Sequence, residues 1–282
     1  MFQSKFFSAE KVFPHVTAVT GLAGEKCYLV EGRDSALLID ALTGVGSLKA
    51  FVRELTDLPV RLVNTHGHVD HCGAVFEYGA CGIHPADVAL LYQHSDPEMR
   101  LNFAKTGAMS GPLRVDPQPS DVVPPCPVKT FPVYDGSRFD LGGVELEAIA
   151  VPGHTRGTIV LLDRAQRVVY SGDACNANTL LFLSESASVE EYREGLLHFK
   201  EFQPAFDGMY GGHGPGPVPK TIIDEAIQLC DEIMAGTDDQ VAAQSLGRPC
   251  LYAREKTPDF RRKDGGIANI AYSREKIFRQ GN

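Results

Sequence analysis

The chain has 282 residues, 27 Lys+Arg against 36 Asp+Glu, a formal net charge of −9, 43% hydrophobic and 22% charged residues. That apolar content excludes disorder as the main state, and no apolar run approaches the ~18 residues that span a bilayer. The acidic balance weighs against a general nucleic-acid binder, and no fixed short period supports collagen or coiled coil.

The elements follow in order. VFPHVTAVT (12–20), KCYLVEG (26–32) and SALLIDA (35–41) read as short strands separated by Gly or charged turns. VGSLKAFVREL (45–55) has helical spacing, and PVRLVNT (59–65) is a buried-strand pattern. A helical stretch at 73–78, a strand at 80–84 and a helix opening at Pro85 come next. Residues 93–127 carry seven prolines with little periodicity and are expected to be a lid inserted over a site. Strands resume at 128–133, 144–151, 157–163 and 166–172. ASVEEYREGLLHFKEF (187–202) is an amphipathic helix with Ser188 as N-cap and Glu191 three residues on. A strand at 206–212, a helix at 221–236 and a short strand within 265–273 complete the reading.

Seven cysteines, at 27, 72, 81, 126, 175, 230 and 250, form no CxxC pair, so neither a zinc ribbon nor a thioredoxin-type centre is indicated. Free structural thiols in a cytoplasmic protein are expected, and the start MFQSKFFSAEKVF lacks the apolar core of a secretory signal. From Arg254 to Arg279 eight basic residues stand against four acidic ones, a net +4 that leaves −13 for the rest.

The strongest chemical signal is Thr65-His66-Gly67-His68-Val69-Asp70-His71, which puts four potential metal ligands within six residues directly after an apolar strand. A solvated loop that is His-rich by chance is a poor account when the whole chain has nine His. Three further candidates sit among glycines where apolar runs become loops: His154 in VPGHTRG, Asp173 in YSGD and His213 in YGGHG. Imidazole nitrogens suit zinc, and carboxylate oxygens also admit iron or manganese.

His66-x-His68-x-Asp70-His71, followed by His154 in GHT, Asp173 in SGD and His213, resembles the metallo-β-lactamase superfamily over roughly residues 12–235. The resemblance implies an α/β fold, a four-layer αββα sandwich with metals at one edge of two packed sheets. It implies that His66, His68 and His154 hold one metal, Asp70, His71 and His213 the other, and that Asp173 bridges them. Two divalent ions, zinc first, would share a hydroxide that attacks an electrophilic carbon or phosphorus, with Asp70 as the catalytic carboxylate steering its proton.

Asp173 separates this chain from true class B β-lactamases, which resemble it up to that point but carry Cys or Ser there. The expected reaction is hydrolysis of an ester, thioester or related acyl bond in a small molecule. The alternatives are a phosphodiester substrate or, in another class, iron-dependent oxygenation of a persulfide. Lactonases of the family place Tyr three residues after the bridging Asp, where this chain has Asn176.

Residues 1–250 are expected to form the hydrolase domain, with 251–282 a basic extension packed on it; a homodimer is compatible with this reading. Tyr210 and Asn176 are the expected oxyanion or substrate donors. Asp40, ending a strand, is expected to hydrogen-bond the ligand loop. Cys72 and Cys175 read as buried fillers, His84 as structural, and His15, His94 and His198 show no ligand context.

Overall fold

A computed structural model describes residues 2–108, 113–257 and 261–280. Eight strands form a first sheet in chain order, from Phe2–Gln3 to Lys129–Pro132. The early pairings are antiparallel, but Ala36–Ile39, Val60–Val63, Ala80–Ile83 and Lys129–Pro132 run parallel. A second sheet has the order Val218–Pro219, Gly208–Gly211, Val168–Gly172, Ile159–Asp163, Glu145–Ala150, Arg138–Asp140.

The period-2 alternation of the strands decides how these sheets pack. Tyr28 and Val30 turn one way and meet Leu161, Val168 and Tyr170 of the second sheet in a shared core. Cys27 and Leu29 turn the other way, under Leu48, Phe51 and Val75 of the short helices Leu48–Arg53 and Val75–Tyr78. On the far side Val160, Leu162 and Val169 are covered by the helices Val189–Glu201 and Ile222–Ala235. Both sheets are therefore buried on both faces, which is the expected αββα sandwich.

The capping box is present: Ser188 Oγ accepts from Glu191 N at 3.1 Å and Glu191 Oε2 accepts from Ser188 N at 2.8 Å. Elsewhere the structure differs from the sequence pattern. The run 12–20 is split into Ser8–Phe13 and Val16–Thr20 by a turn at Pro14, whose missing N–H ends the ladder. The hairpin Val241–Ser245 with Arg248–Tyr252 leaves no clear strand pattern in the sequence, because its strands are half-exposed and weakly apolar.

The Pro-rich segment contains the helix Pro97–Ala108, whose buried residues are Arg100, Leu101, Ala104 and Ala108. A stripe of one cation, one Leu and two Ala gives no readable apolar period. Residues 109–112 of the segment expected as a lid lie outside the described residues, as do 258–260 and 281–282 of the basic tail. Several tail cations meet acids of the body: Arg254 pairs with Glu232 and Asp239, and Arg262 with Glu225.

Candidate metal centre

Strand direction brings the separate motifs to one edge. Ala36–Ile39 and Val60–Val63 are parallel and end at Asp40 and at Asn64-Thr65-His66. Glu145–Ala150 is two antiparallel steps from Val168–Gly172, which is parallel to Gly208–Gly211, so all three point the same way. Their ends lead to His154, Asp173 and His213. Thr65 O accepts from Ile159 N at 2.9 Å, joining the two sheets beside the site.

The structure brings all seven sequence-derived candidates together. Donor atoms lie within 4.8 Å of one another in three groups: His66, His68 and His154; His66, His71 and Asp173; Asp70, His71 and His213. His68 Nδ1 faces His154 Nε2 at 2.9 Å, and His213 Nε2 lies 2.9 Å from Asp70 Oδ2. Asp173 Oδ2 stands centrally, 3.7 Å from His154 Nε2, 3.8 Å from His71 Nε2 and 3.6 Å from His213 Nε2.

The outward nitrogen of each of four rings has an acceptor, and this assigns the tautomers. His71 Nδ1–H donates to Asp40 Oδ2 at 2.8 Å, and His68 Nε2–H to Glu185 Oε1 at 3.0 Å. His154 Nδ1–H donates to the Leu180 carbonyl at 3.1 Å. His66 Nδ1–H donates to Thr65 Oγ1 at 3.1 Å, and that hydroxyl in turn donates to Asp40 Oδ2 at 2.8 Å. When each ring is neutral, its inward nitrogen is left with the lone pair. Of the inward atoms, His66 Nε2, His71 Nε2 and Asp173 Oδ1 are buried without a hydrogen-bond partner. An unpaired buried polar atom costs roughly 1–3 kcal/mol, and a divalent cation among them would remove that cost. The donor set thus fits the metal that the motif implies.

In the metal-free site the electrostatics separate the rings: His66 and His154 stay neutral, whereas His71 carries a second proton that a bound cation would displace. Burial, reinforced by His71 and His68, holds His66 well below its ordinary pKa, and burial with His68 lowers His154 to about 4. Burial opposes charging of His71, but Asp70 and Asp40 outweigh it and raise the ring to about 10. Burial likewise opposes ionisation of Asp70, and His71 and His213 overcome it, so that carboxylate is held well below its usual range.

Asp40 is the expected support of the ligand loop, accepting from Thr65 N at 2.7 Å as well as from His71. It sits at φ +68, a left-handed conformation strained for a non-glycine residue and maintained here by these buried bonds. Tyr210 packs its ring 5.7 Å from Phe13 and 6.0 Å from Tyr28. Asn176 Oδ1 accepts from Asn178 N at 2.7 Å and caps its own turn. Neither makes a hydrogen bond to the seven clustered side chains. Cys72 and Cys175 are buried; Cys72 Sγ donates to His66 O at 3.1 Å.

Three contributors carried no signal in the sequence pattern. Asp87 accepts from Gly67 N at 2.8 Å, Gly157 N at 2.8 Å and Thr155 Oγ1 at 2.6 Å, tying the first histidine loop to the His154 loop. His94 stacks on His68 at 5.2 Å and accepts from Val69 N at 3.1 Å. Glu185 reaches His68 across 117 positions of sequence.

Fold and donor set together place a candidate metal centre at one edge of an αββα sandwich. A family model described as the metallo-beta-lactamase superfamily matches residues 21–213, and the chain belongs to that superfamily. It is 28% identical over 179 residues to a Gallus gallus protein named acyl-coenzyme A thioesterase MBLAC2, covering 58% of this chain and 62% of that protein. The Homo sapiens protein of the same name is 25% identical over 180 residues, with 58% and 63% covered. The chain therefore spans a little under two thirds of the length of these relatives. Among solved structures it is similar to the metallo-beta-lactamase FIM-1 of Pseudomonas aeruginosa in its mono-zinc form, with TM-score 0.59, 16% identity, and 80% and 96% of the two chains covered. A metallo-beta-lactamase from Erythrobacter litoralis gives TM-score 0.58 at 19% identity, covering 82% and 99%. These likenesses show the fold. Among the described residues no helix is long and apolar enough to cross a membrane.

Proposed function

We propose that the chain hydrolyses acyl thioesters of the coenzyme A class, using two divalent metal ions, zinc foremost. The observation that carries this reading is the inward-facing set of lone-pair donors, with His66, His68 and His154 as one group and Asp70, His71 and His213 as another. Asp173, standing 3.7 Å from His154 and 3.6 Å from His213, is the residue suited to serve both. The thioester as substrate is supported by the relatives named acyl-coenzyme A thioesterase. A bridging Asp where class B β-lactamases carry Cys or Ser favours acyl substrates other than β-lactams.

Metal held by these residues would supply a hydroxide nucleophile at neutral pH and polarise the acyl oxygen. The protein's part is orientation and proton handling. Asp40, Thr65, Leu180 and Glu185 fix four rings before substrate arrives. Asp70, ionised and beside His213, is the carboxylate suited to accept a hydrogen bond from the nucleophile and steer its proton. With a side chain 37% exposed, His213 marks the open side of the centre, whereas His66 and His71 close its floor.

The test is metal quantification on the purified protein, then a substrate panel before and after chelation. About two zinc ions per chain, and thioester cleavage lost on chelation and restored by zinc, are expected. Faster cleavage of an activated phosphodiester would favour the phosphodiesterase alternative. A single iron with oxygen uptake on a persulfide would favour the oxygenase, and either outcome displaces the thioesterase reading.

A further inference from the structure

The segment after the strand Thr179–Leu180 runs along the metal centre and is held there by the C-terminal segment. Thr179 and Leu180 pair with Ile270 and Ala271 of the strand Ile270–Tyr272. Leu180 O accepts from His154 Nδ1, and Ser186 Oγ donates to His154 O at 2.8 Å. Between these two contacts Glu185 projects its carboxylate onto His68 Nε2 at 3.0 Å. Lys276, just beyond the tail strand, donates Nζ to the carbonyls of Leu183, Ser184 and Ser186. An ammonium shared by three carbonyls fixes the turn that bears Glu185, since each carbonyl would otherwise need another donor.

We propose that Glu185 is a positioning residue for metal binding, orienting His68 so that Nδ1 faces the centre, and that Lys276 holds Glu185 in place. The chemistry is that of a carboxylate–histidine–metal relay. His68 Nδ1 already faces His154 Nε2, so a metal bound between them requires the proton on Nε2. Glu185 accepts that proton's hydrogen bond and excludes the other tautomer. His94, stacked on the same ring at an interplanar angle of 17°, limits its tilt but cannot select a tautomer. A residue in the C-terminal segment thereby acts on the donors of one metal position and leaves the Asp70, His71, His213 group to Asp40.

This inference rests on the metal reading above, and zinc itself is the probe. Stepwise zinc affinities of the 282-residue chain are measured by competition with a chromophoric chelator for wild type, Glu185→Ala, Glu185→Asp, Lys276→Met and the Glu185→Ala/Lys276→Met double variant. Cobalt absorption spectra report the ligand field of each position, and melting of the metal-free proteins reports folding. Expected is a 10–100-fold loss of affinity at one position in Glu185→Ala with the other unchanged. Partial recovery in Glu185→Asp, a smaller loss in Lys276→Met, and a double variant no weaker than Glu185→Ala are expected too. Unchanged affinities in folded Glu185→Ala overturn the Glu185 role, and fully additive losses overturn the Lys276 link. A wild-type chain that takes up no zinc overturns the metal reading as well, which separates the two failures.

Discussion

Arg100, fully buried on the helix Pro97–Ala108, donates Nη1 to the carbonyl of Gly73 at 2.6 Å. Its Nη2 reaches the carbonyl of Val123, and the guanidinium lies 5.3 Å from the ring centroid of Phe76. Gly73 directly follows the short helix Val69–Cys72 that carries Asp70 and His71. The Pro-rich segment is therefore anchored to the backbone of the metal motif. Arg100→Met leaves one buried and one half-buried carbonyl without a donor and should destabilise the fold by about 2–4 kcal/mol. Urea unfolding measures this, and a loss within experimental error would show that the segment is not a buttress.

Asp40→Asn keeps the shape but offers an amide where His71 Nδ1–H now finds a carboxylate. The ring loses its tautomer assignment, and metal affinity should fall about 10–100-fold with little change in substrate KM. Chelator competition alongside steady-state kinetics separates the two.

Gly212 must lack a side chain. A Cβ there would stand 2.4 Å from His71 Cε1 and 3.0 Å from Asp173 Oδ1. His71 cannot yield, because Asp40 holds its far side. Gly212→Ala should reduce zinc affinity at least about tenfold and lower the melting temperature of the metal-free protein, since overpacking of this kind costs about 1–3 kcal/mol. Full metal content with tight binding would contradict the placement of His71.

Glu25 is fully buried, with Oε1 accepting from Thr43 Oγ1 at 3.0 Å and Oε2 from Ala23 N at 2.8 Å. Burial raises its pKa from 4.5 to about 7, with hydrogen bonds offsetting part of the effect. A carboxyl raised in the folded state contributes its full stability below the unfolded value of 4.5 and loses it as pH rises through about 7. In metal-free protein this group should account for about 3 kcal/mol of that decline. Denaturant titrations across this range should show a shallower slope for Glu25→Gln; matching slopes would remove Glu25 as the cause.

Six of the seven cysteines are buried and Cys126 is exposed. Brief alkylation of the folded protein followed by peptide mass mapping should label Cys126 first. Early labelling of Cys72 or Cys175 would show that the thiols next to the metal motif are open to solvent.

Much of this was legible in the chain itself. His66, His68, Asp70 and His71 announce themselves because a strand end concentrates them within one turn, where local geometry alone brings donors together. Apolar runs marked most strands, and Ser188 with Glu191 marked a helix start, since periodicity and capping are short-range physics. Asp40 was visible because an acid closing an apolar strand needs a partner. The helix Pro97–Ala108 was not, for its buried face is Arg and Ala rather than an apolar stripe.

The sequence by itself determined the donor types, their order and the sandwich that presents them. Which nitrogen of each ring faces inward was decided only by tertiary structure, because the tautomer depends on whatever acceptor stands behind the ring. Those acceptors come from Asp40, Thr65, the Leu180 carbonyl and Glu185, and no local spacing relates Glu185 or Leu180 to the rings they hold. The same is true of Asp87, Arg100 and Lys276, whose partners are mostly loop backbone groups brought near by sheet packing. A backbone carbonyl or N–H belongs to every residue type and leaves no mark in composition, so only the fold could reveal what holds the site together.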